Sequence, residues 1–191
     1  QVGKKILQGK QTQKVLAFYK PVGVTCTERD PHAEKKIMDM IRYPERLTYA
    51  GRLDKDSEGL ILLTNDGDLI NAMMRGANRH EKEYIVKTDR EITPDFLEKM
   101  AKGIYLKDLD ITTRECEIEQ IGKFTFRIVL TQGVNRQIRR MCEACGYRVK
   151  ALKRIRIMNI LLGDLKPGKW REVTGEELEQ LQRFTGMLNR N

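Results

Sequence analysis

Histidine is nearly missing from this sequence: His32 and His80 are the only two, and they lie far apart. Four cysteines (Cys26, Cys116, Cys142, Cys145) are too few and too scattered for a disulfide framework in a chain of 191 residues. Cys142-Glu-Ala-Cys145 spells CxxC, but a zinc site needs a second close pair of ligands, and neither histidine supplies one. Ile138, Met141, Cys142 and Cys145 fall instead at i, i+3, i+4 and i+7, which predicts a helix with both thiols on its apolar face. No apolar run approaches the roughly 20 residues of a membrane span, and the polar start QVGKKILQGKQTQK has no secretory core. The cytoplasm is the expected compartment.

Acids are the minority charge, 27 against 36 Lys and Arg, for a net charge of +9. A basic balance of this size points toward a polyanion. Its distribution is uneven. Between Val134 and Arg156 stand eight basic residues (Arg136, Arg139, Arg140, Arg148, Lys150, Lys153, Arg154, Arg156) and one acid, Glu143. A solvated basic face gives the same count. But six of the eight are arginine, whose planar fork suits phosphate and base edges, and this favours nucleic acid.

Gln1–Lys14 reads as a linker, and residues 15–191 as one domain. Val15–Tyr19 is a strand ending at Lys20-Pro21, with PVGVT a turn. Ala33, Ile37, Met40 and Ile41 share a helical face. Leu60–Thr64 is a continuous apolar run suited to a buried strand, followed by a helix through Met74 that Asn65 or Asp66 caps. Glu83–Thr88 is a strand, and Thr93-Pro94 opens a helix that Gly103 ends. Phe124, Phe126, Ile128 and Leu130 alternate with polar or smaller residues, as in a half-buried strand. Ala151–Leu162 is another strand, with Arg154 and Arg156 facing away from Ile155 and Ile157. Thr174-Gly-Glu-Glu177 spells a capping box for a last helix. The order lacks a regular βαβ rhythm and predicts an α+β fold: a mixed, mostly antiparallel sheet flanked by helices.

Ala50–Leu69 holds five acids in a basic protein: Asp54, Asp56, Glu58, Asp66 and Asp68. Asp54-x-Asp56-x-Glu58-Gly59 opens like a calcium loop, but position twelve is Asn65, where a bidentate Glu is needed. A two-metal site would use Asp54 and Asp56, with Arg52 competing against the metal and no further ligand set in view. An acid salt-bridged at a strand-to-loop corner is the plainest reading. The third is chemical: a carboxylate attacks an electrophilic sugar carbon when a guanidinium keeps it charged, and Arg136 and Arg139 are candidates for that pairing. Such chemistry on RNA needs the nucleotide out of its stack and a ring to receive the base.

Gly51-Arg52-Leu53-Asp54-Lys55-Asp56-Ser57-Glu58-Gly59-Leu60 resembles the catalytic motif of pseudouridine synthases of the RsuA-type family. Lys20-Pro21-x-Gly23, Lys82-Glu83-Tyr84, Gly133–Met141 and RIMNI…LKPGKWREVT resemble its other motifs, in the same order. Asn78–Tyr84 and the RIRIMN segment are most similar to the RluF branch, which acts on a uridine in large-subunit ribosomal RNA. The resemblance implies a pseudouridine synthase-like fold and isomerisation of uridine within RNA, without cofactor or metal. It makes Asp54 the essential carboxylate, a nucleophile at C1′ or a base at C2′. Tyr84 stacks on the flipped base, and Arg139 is the expected salt-bridge partner of Asp54. Arg52 fills the space the base leaves, and Leu152 lines the uracil pocket. Phosphate contacts fall to Arg136, Arg140, Lys153, Arg154 and Arg156. Family members carry an S4-type RNA-binding domain in front of the catalytic domain, and Gln1–Lys14 corresponds to the linker after it, so that domain is expected to be absent from this stretch. A monomer is expected. The rival reading is an RNA-binding or ribosome-assembly factor on the same fold, which would not require Asp54, Tyr84 and Arg139 together.

Overall fold

The computed structural model describes residues 12–26, 37–75 and 79–187. Most of the expected linker and Ala33 of the expected helix lie outside these.

The long apolar runs become the centre of the sheet. Strand β1 (Val15–Lys20) pairs antiparallel with β3 (Glu58–Thr64), and nearly every side chain of both is buried. Alternation sends them to two different cores. Val15, Ala17, Tyr19, Leu60 and Leu62 pack on one face with Leu69 and Met73 of helix α2 (Gly67–Arg75) and Leu181 of α5 (Gly175–Phe184). Leu16, Phe18, Ile61 and Leu63 pack on the other with Ile37 of α1 (Ile37–Met40) and with Trp170. A strand covered on both faces has no polar side to show, hence the unbroken apolar sequence. Each fully buried Leu or Ile there contributes roughly 1.5–3 kcal/mol over an exposed one.

The other half is built on β4 (Lys82–Thr88), β8 (Thr125–Leu130) and β9 (Val149–Ile157), with β7 (Glu117–Gly122) at the edge. Here one face is apolar: Val86, Phe126, Ile128 and Leu152 meet Phe96 and Met100 of α3 (Pro94–Lys102) and Ile138, Met141 and Cys142 of α4 (Gln137–Ala144). The CxxC cysteines are core residues: Cys142 is fully buried and Cys145 half-buried. The opposite face of this half carries Arg127 and Arg156 amid Glu81, Glu83, Glu117 and Glu119.

The strand order is β11-β1-β3-β9-β4-β8-β7, where β11 is Trp170–Glu172; β2 (Thr48–Tyr49) joins β3, and β10 (Ile160–Leu161) joins β9. Every pair is antiparallel but one. Strands β3 and β9 run parallel, Glu58 beside Lys153 and Gly59 beside Arg154, and this seam joins the two halves. A separate hairpin, β5 (Tyr105–Leu106) and β6 (Ile111–Thr112), lies within the Ile104–Gln120 stretch.

Caps follow the sequence at two helices. Thr93 Oγ1 accepts from the Phe96 amide at 3.1 Å, and Asp66 Oδ1 from the Asp68 amide at 2.9 Å. The capping box at Thr174 does not form: Thr174 makes no side-chain cap bond, and the Glu177 carboxylate is drawn into a bidentate pair with Arg171 at 2.6 and 2.9 Å. A guanidinium fork outcompetes one backbone N–H.

Candidate active site

Asp54 stands in a tight turn immediately before the seam, its carbonyl accepting from the Ser57 amide at 3.0 Å. The turn is held from beneath. Lys20 is completely buried, and its ammonium donates to the carbonyls of Pro21 (2.7 Å), Val24 (2.8 Å) and Lys55 (3.4 Å). Burial pushes that ammonium down to about 8, with nearby Cys26 and the loop carboxylates opposing the shift. The Gly23 amide donates to the Lys55 carbonyl at 2.7 Å, and Cys26 Sγ reaches the Leu53 carbonyl at 3.1 Å. Lys20-Pro-x-Gly23 is thus a clamp on the Asp54 loop, which is why a buried charge is tolerated there.

Gly59 explains the glycine of the same motif. Its φ is +115°, and an added Cβ would sit 2.2 Å from the Arg154 carbonyl oxygen. Only a residue without Cβ lets β3 and β9 approach this closely.

Helix α4 delivers two arginines to the loop from about 80 residues away. Arg136, at its N-cap, has a left-handed backbone (φ 52°, ψ 37°). Its guanidinium forks onto Asp56, with Nη1 to Oδ1 at 3.0 Å and Nη2 to Oδ2 at 2.7 Å, and Nη1 lies 3.3 Å from Asp54 Oδ2. Arg139, one turn on, donates through Nη2 to the Asp56 carbonyl (3.0 Å) and Ser57 Oγ (3.1 Å). The expected pairing is therefore corrected: Arg136, not Arg139, contacts the Asp54 carboxylate, and Arg139 braces the turn behind it. Asp56, read from sequence as a local acid, is the principal anchor of Arg136. That hydrogen-bonded guanidinium, seconded by Arg139, holds the Asp56 carboxyl below the usual carboxylate range against the effect of partial burial.

Asp54 opens onto a cleft of about 380 Å³ between the two halves of the sheet. Tyr84 and Lys82 of β4, Leu152 and Arg154 of β9, and Arg52, Arg136 and Arg139 all line it, with Gln132, Asn135 and Gln137 from the segment entering α4. Among the described residues, Asp54 is the sole carboxylate in the cleft wall, against five cationic side chains. The acids that a two-metal site would use, Asp54 and Asp56, are both engaged by Arg136.

The cleft therefore gathers Asp54, Tyr84, Arg139, Arg52, Arg136 and Leu152. Of the remaining basic residues, Arg154 also lines the cleft, and the others stand elsewhere. Arg154 is only 6% exposed, and its guanidinium donates to the carbonyls of Leu60 (2.8 Å) and Arg52 (3.4 Å). It ties the seam together and is too deep to meet an RNA phosphate, contrary to the expectation. Arg156 is bound to Glu83 (2.8 Å) and Glu81 (3.0 Å), and Arg140 to the carbonyl of Asn135 (2.9 Å). Lys153 is half-buried on β9 beside Ile85. Neither Arg140, Lys153 nor Arg156 belongs to the cleft wall. Sequence reasoning missed Lys82 as a cleft residue. The available signal was its spacing of two from Tyr84, which puts both on one face of a strand.

Residues 14–144 match the sequence family described as RNA pseudouridylate synthase. The chain is 47% identical over 167 residues to the dual-specificity RNA pseudouridine synthase RluF of Escherichia coli (strain K12), covering 87% of this chain and 57% of that protein. It thus spans little more than half the length of that relative. A protein of Aquifex aeolicus (strain VF5), named an uncharacterized RNA pseudouridine synthase, is 35% identical, with 88% of this chain and 71% of that one covered. A crystal structure of a pseudouridylate synthase superposes with a TM-score of 0.83 at 28% identity, over 90% of this chain and 75% of that one. With the family match spanning well over half of its residues, and the fold and motif order agreeing, this chain belongs to the RNA pseudouridylate synthase family.

Proposed function

We propose that residues 15–191 form a catalytic domain that isomerises uridine to pseudouridine in large-subunit ribosomal RNA, in the cytoplasm and as a monomer. Asp54 is the carboxylate that acts on the ribose of a flipped-out nucleotide. The observation that carries this reading is the isolation of Asp54: among the described residues, it is the one acid in a cleft wall that holds five cations, an aromatic ring, neutral polar groups and apolar side chains. An RNA-binding surface has no use for an acid at that place. A reaction at the sugar does.

The relatives' names and the charge of the cleft support an RNA substrate, and the motif resemblance to the RluF branch supports the large-subunit ribosomal RNA. Phosphates flanking the target meet Arg136 at its rim, Arg52 fills the space the base leaves in the RNA, and the uracil enters between Tyr84 and Leu152. Arg139 keeps the Asp54 turn in place through Ser57 and the Asp56 carbonyl. Preorganisation of this kind lowers the barrier because no reorganisation is needed as charge develops. The glycosidic bond to N1 breaks, the uracil turns within the cleft, and C5 bonds to C1′; N1 gains a proton and C5 loses one, so none is consumed overall.

Incubation with transcribed large-subunit RNA, nuclease digestion and chromatography of the nucleosides tests this reading. Pseudouridine at a single site, mapped by the primer-extension stop at its carbodiimide adduct, is the expected result. Tight binding with no pseudouridine formed would favour the assembly-factor reading instead.

A further inference from the structure

The mechanism above leaves one cation of the cleft without a task. Lys82 lines the same wall as Tyr84, two residues before it on β4, so that both side chains leave the strand on the same face. Glu83, between them, points the other way and pairs with Arg156 and Arg127. In register, Lys82 faces Leu130 on β8 and Ile157 on β9, and with Met73 of α2 these form an apolar surround within the cleft. The lysine stem is half-buried among them.

Resting on the proposed isomerisation, we propose that Lys82 is a further catalytic residue, its ammonium stabilising the uracil anion that forms when the glycosidic bond breaks. The C1′–N1 bond breaks heterolytically, and its electron pair goes to the base. Asp54 compensates at the sugar, bonding to C1′ or removing the C2′ proton. The uracil then carries a full negative charge spread over N1, O2 and O4. It cannot diffuse away to be solvated, since the same base must return through C5. A cation in an apolar wall is the group that meets such a charge, and it is worth most where water is excluded.

The electrostatic surroundings agree with this role. Burial, with the Arg154 guanidinium adding like charge, brings the Lys82 ammonium down to about 8 from lysine's usual 10.5. An anion arriving in the cleft relieves that unfavourable pairing, so stabilisation grows as the bond breaks and is small for the neutral base. Interactions stronger in the transition state than in the ground state are those that raise kcat. Arg154 itself lines the same cleft and is bonded to the carbonyls of Leu60 and Arg52.

The test compares uridine with 5-fluorouridine at the target position of the RNA, under single-turnover conditions. Fluorine withdraws electrons and stabilises the uracil anion unaided, so it substitutes in part for the cation. Loss of the N-glycosidic linkage is followed by nuclease digestion and chromatography for both substrates. For Lys82→Met we expect a loss on the order of 100-fold on uridine and about tenfold on 5-fluorouridine, the scale of removing one preorganised charge-stabilising donor. Lys82→Arg, which keeps the charge, should lose less than Lys82→Met on uridine. Equal losses on the two substrates would mean that Lys82 shapes the cleft and does not meet the leaving base, and would overturn this proposal alone. An absence of conversion of either substrate by the unaltered protein would overturn the isomerase reading, and this inference with it.

Discussion

Replacing Gly59 by alanine probes the seam on which the site depends, and two costs can be separated. The first is conformational: at φ +115° a residue with Cβ is strained by about 1–3 kcal/mol. The second is steric. The new Cβ would lie 2.2 Å from the Arg154 carbonyl oxygen and 2.7 Å from its amide nitrogen, both backbone atoms of the neighbouring strand. Neither can swing aside as a side chain would, so β3 and β9 must part, at a cost of about 1–3 kcal/mol more. Gly51 isolates the first term, since its φ is +109° but nothing lies within 4 Å of a Cβ there. Gly67 removes both, with an ordinary φ and open space. Thermal unfolding of the three alanine variants should therefore rank Gly67→Ala near the unaltered protein, Gly51→Ala lower and Gly59→Ala lowest. For a chain of this size, Gly59→Ala is expected to melt about 4–24 °C below the unaltered protein. Its turnover should fall further than that of Gly51→Ala, because Leu152 and Arg154 move with β9. Equal melting temperatures for Gly59→Ala and Gly51→Ala would refute the argument that close approach of the strands fixes the glycine.

Arg139→Ala should lower the single-turnover rate on the order of 100-fold by loosening the Asp54 turn. Lys153→Ala should leave that rate unchanged and reduce the salt dependence of RNA binding by at most about one counterion; similar rates for the two variants would contradict the bracing role. Asp56, whose folded carboxyl is depressed by Arg136, contributes stability that is present above the ordinary aspartate range and lost as pH falls through its lower folded value. Urea unfolding of Asp56→Asn should accordingly show a deficit at neutral pH that closes in acid, and a deficit independent of pH would count against the pair. Cys142, its thiol pushed up to about 12 by burial, should resist a thiol reagent in the native protein and react only on unfolding. Rapid native labelling would mean that the α4 face is not packed.

Much of this architecture is legible in the sequence because it is local. The unbroken run Leu60–Thr64 and the alternation from Phe124 to Leu130 report directly how many faces of each strand are covered. Thr93-Pro94 and Gly103 mark helix ends by backbone chemistry that needs no distant partner. The site is legible where a motif names it and illegible where two distant segments choose partners. Which carboxylate takes Arg136 depends on how α4 meets a loop 80 residues away, and no spacing encodes that. Arg154 and Arg156 look alike in sequence, two basic residues on one strand. One is turned beneath the seam to carbonyls and the other outward to glutamates. The lost capping box at Thr174 has the same origin, since Arg171 competes for Glu177 across a turn that sequence periodicity does not register.

The most direct test of the account is tritium release from large-subunit RNA labelled at uridine C5, comparing the protein with its Asp54→Asn variant. The C5 hydrogen must leave when the new carbon–carbon bond forms, so release reports the isomerisation itself. Asn keeps the size of Asp54 and its place in the turn while removing the charge that acts on the ribose. The account predicts stoichiometric release by the unaltered protein and none above background by Asp54→Asn, with both binding the RNA equally well. Release at a comparable rate from Asp54→Asn would contradict it, because the reaction would then be proceeding without the carboxylate that, among the described residues, the cleft wall provides.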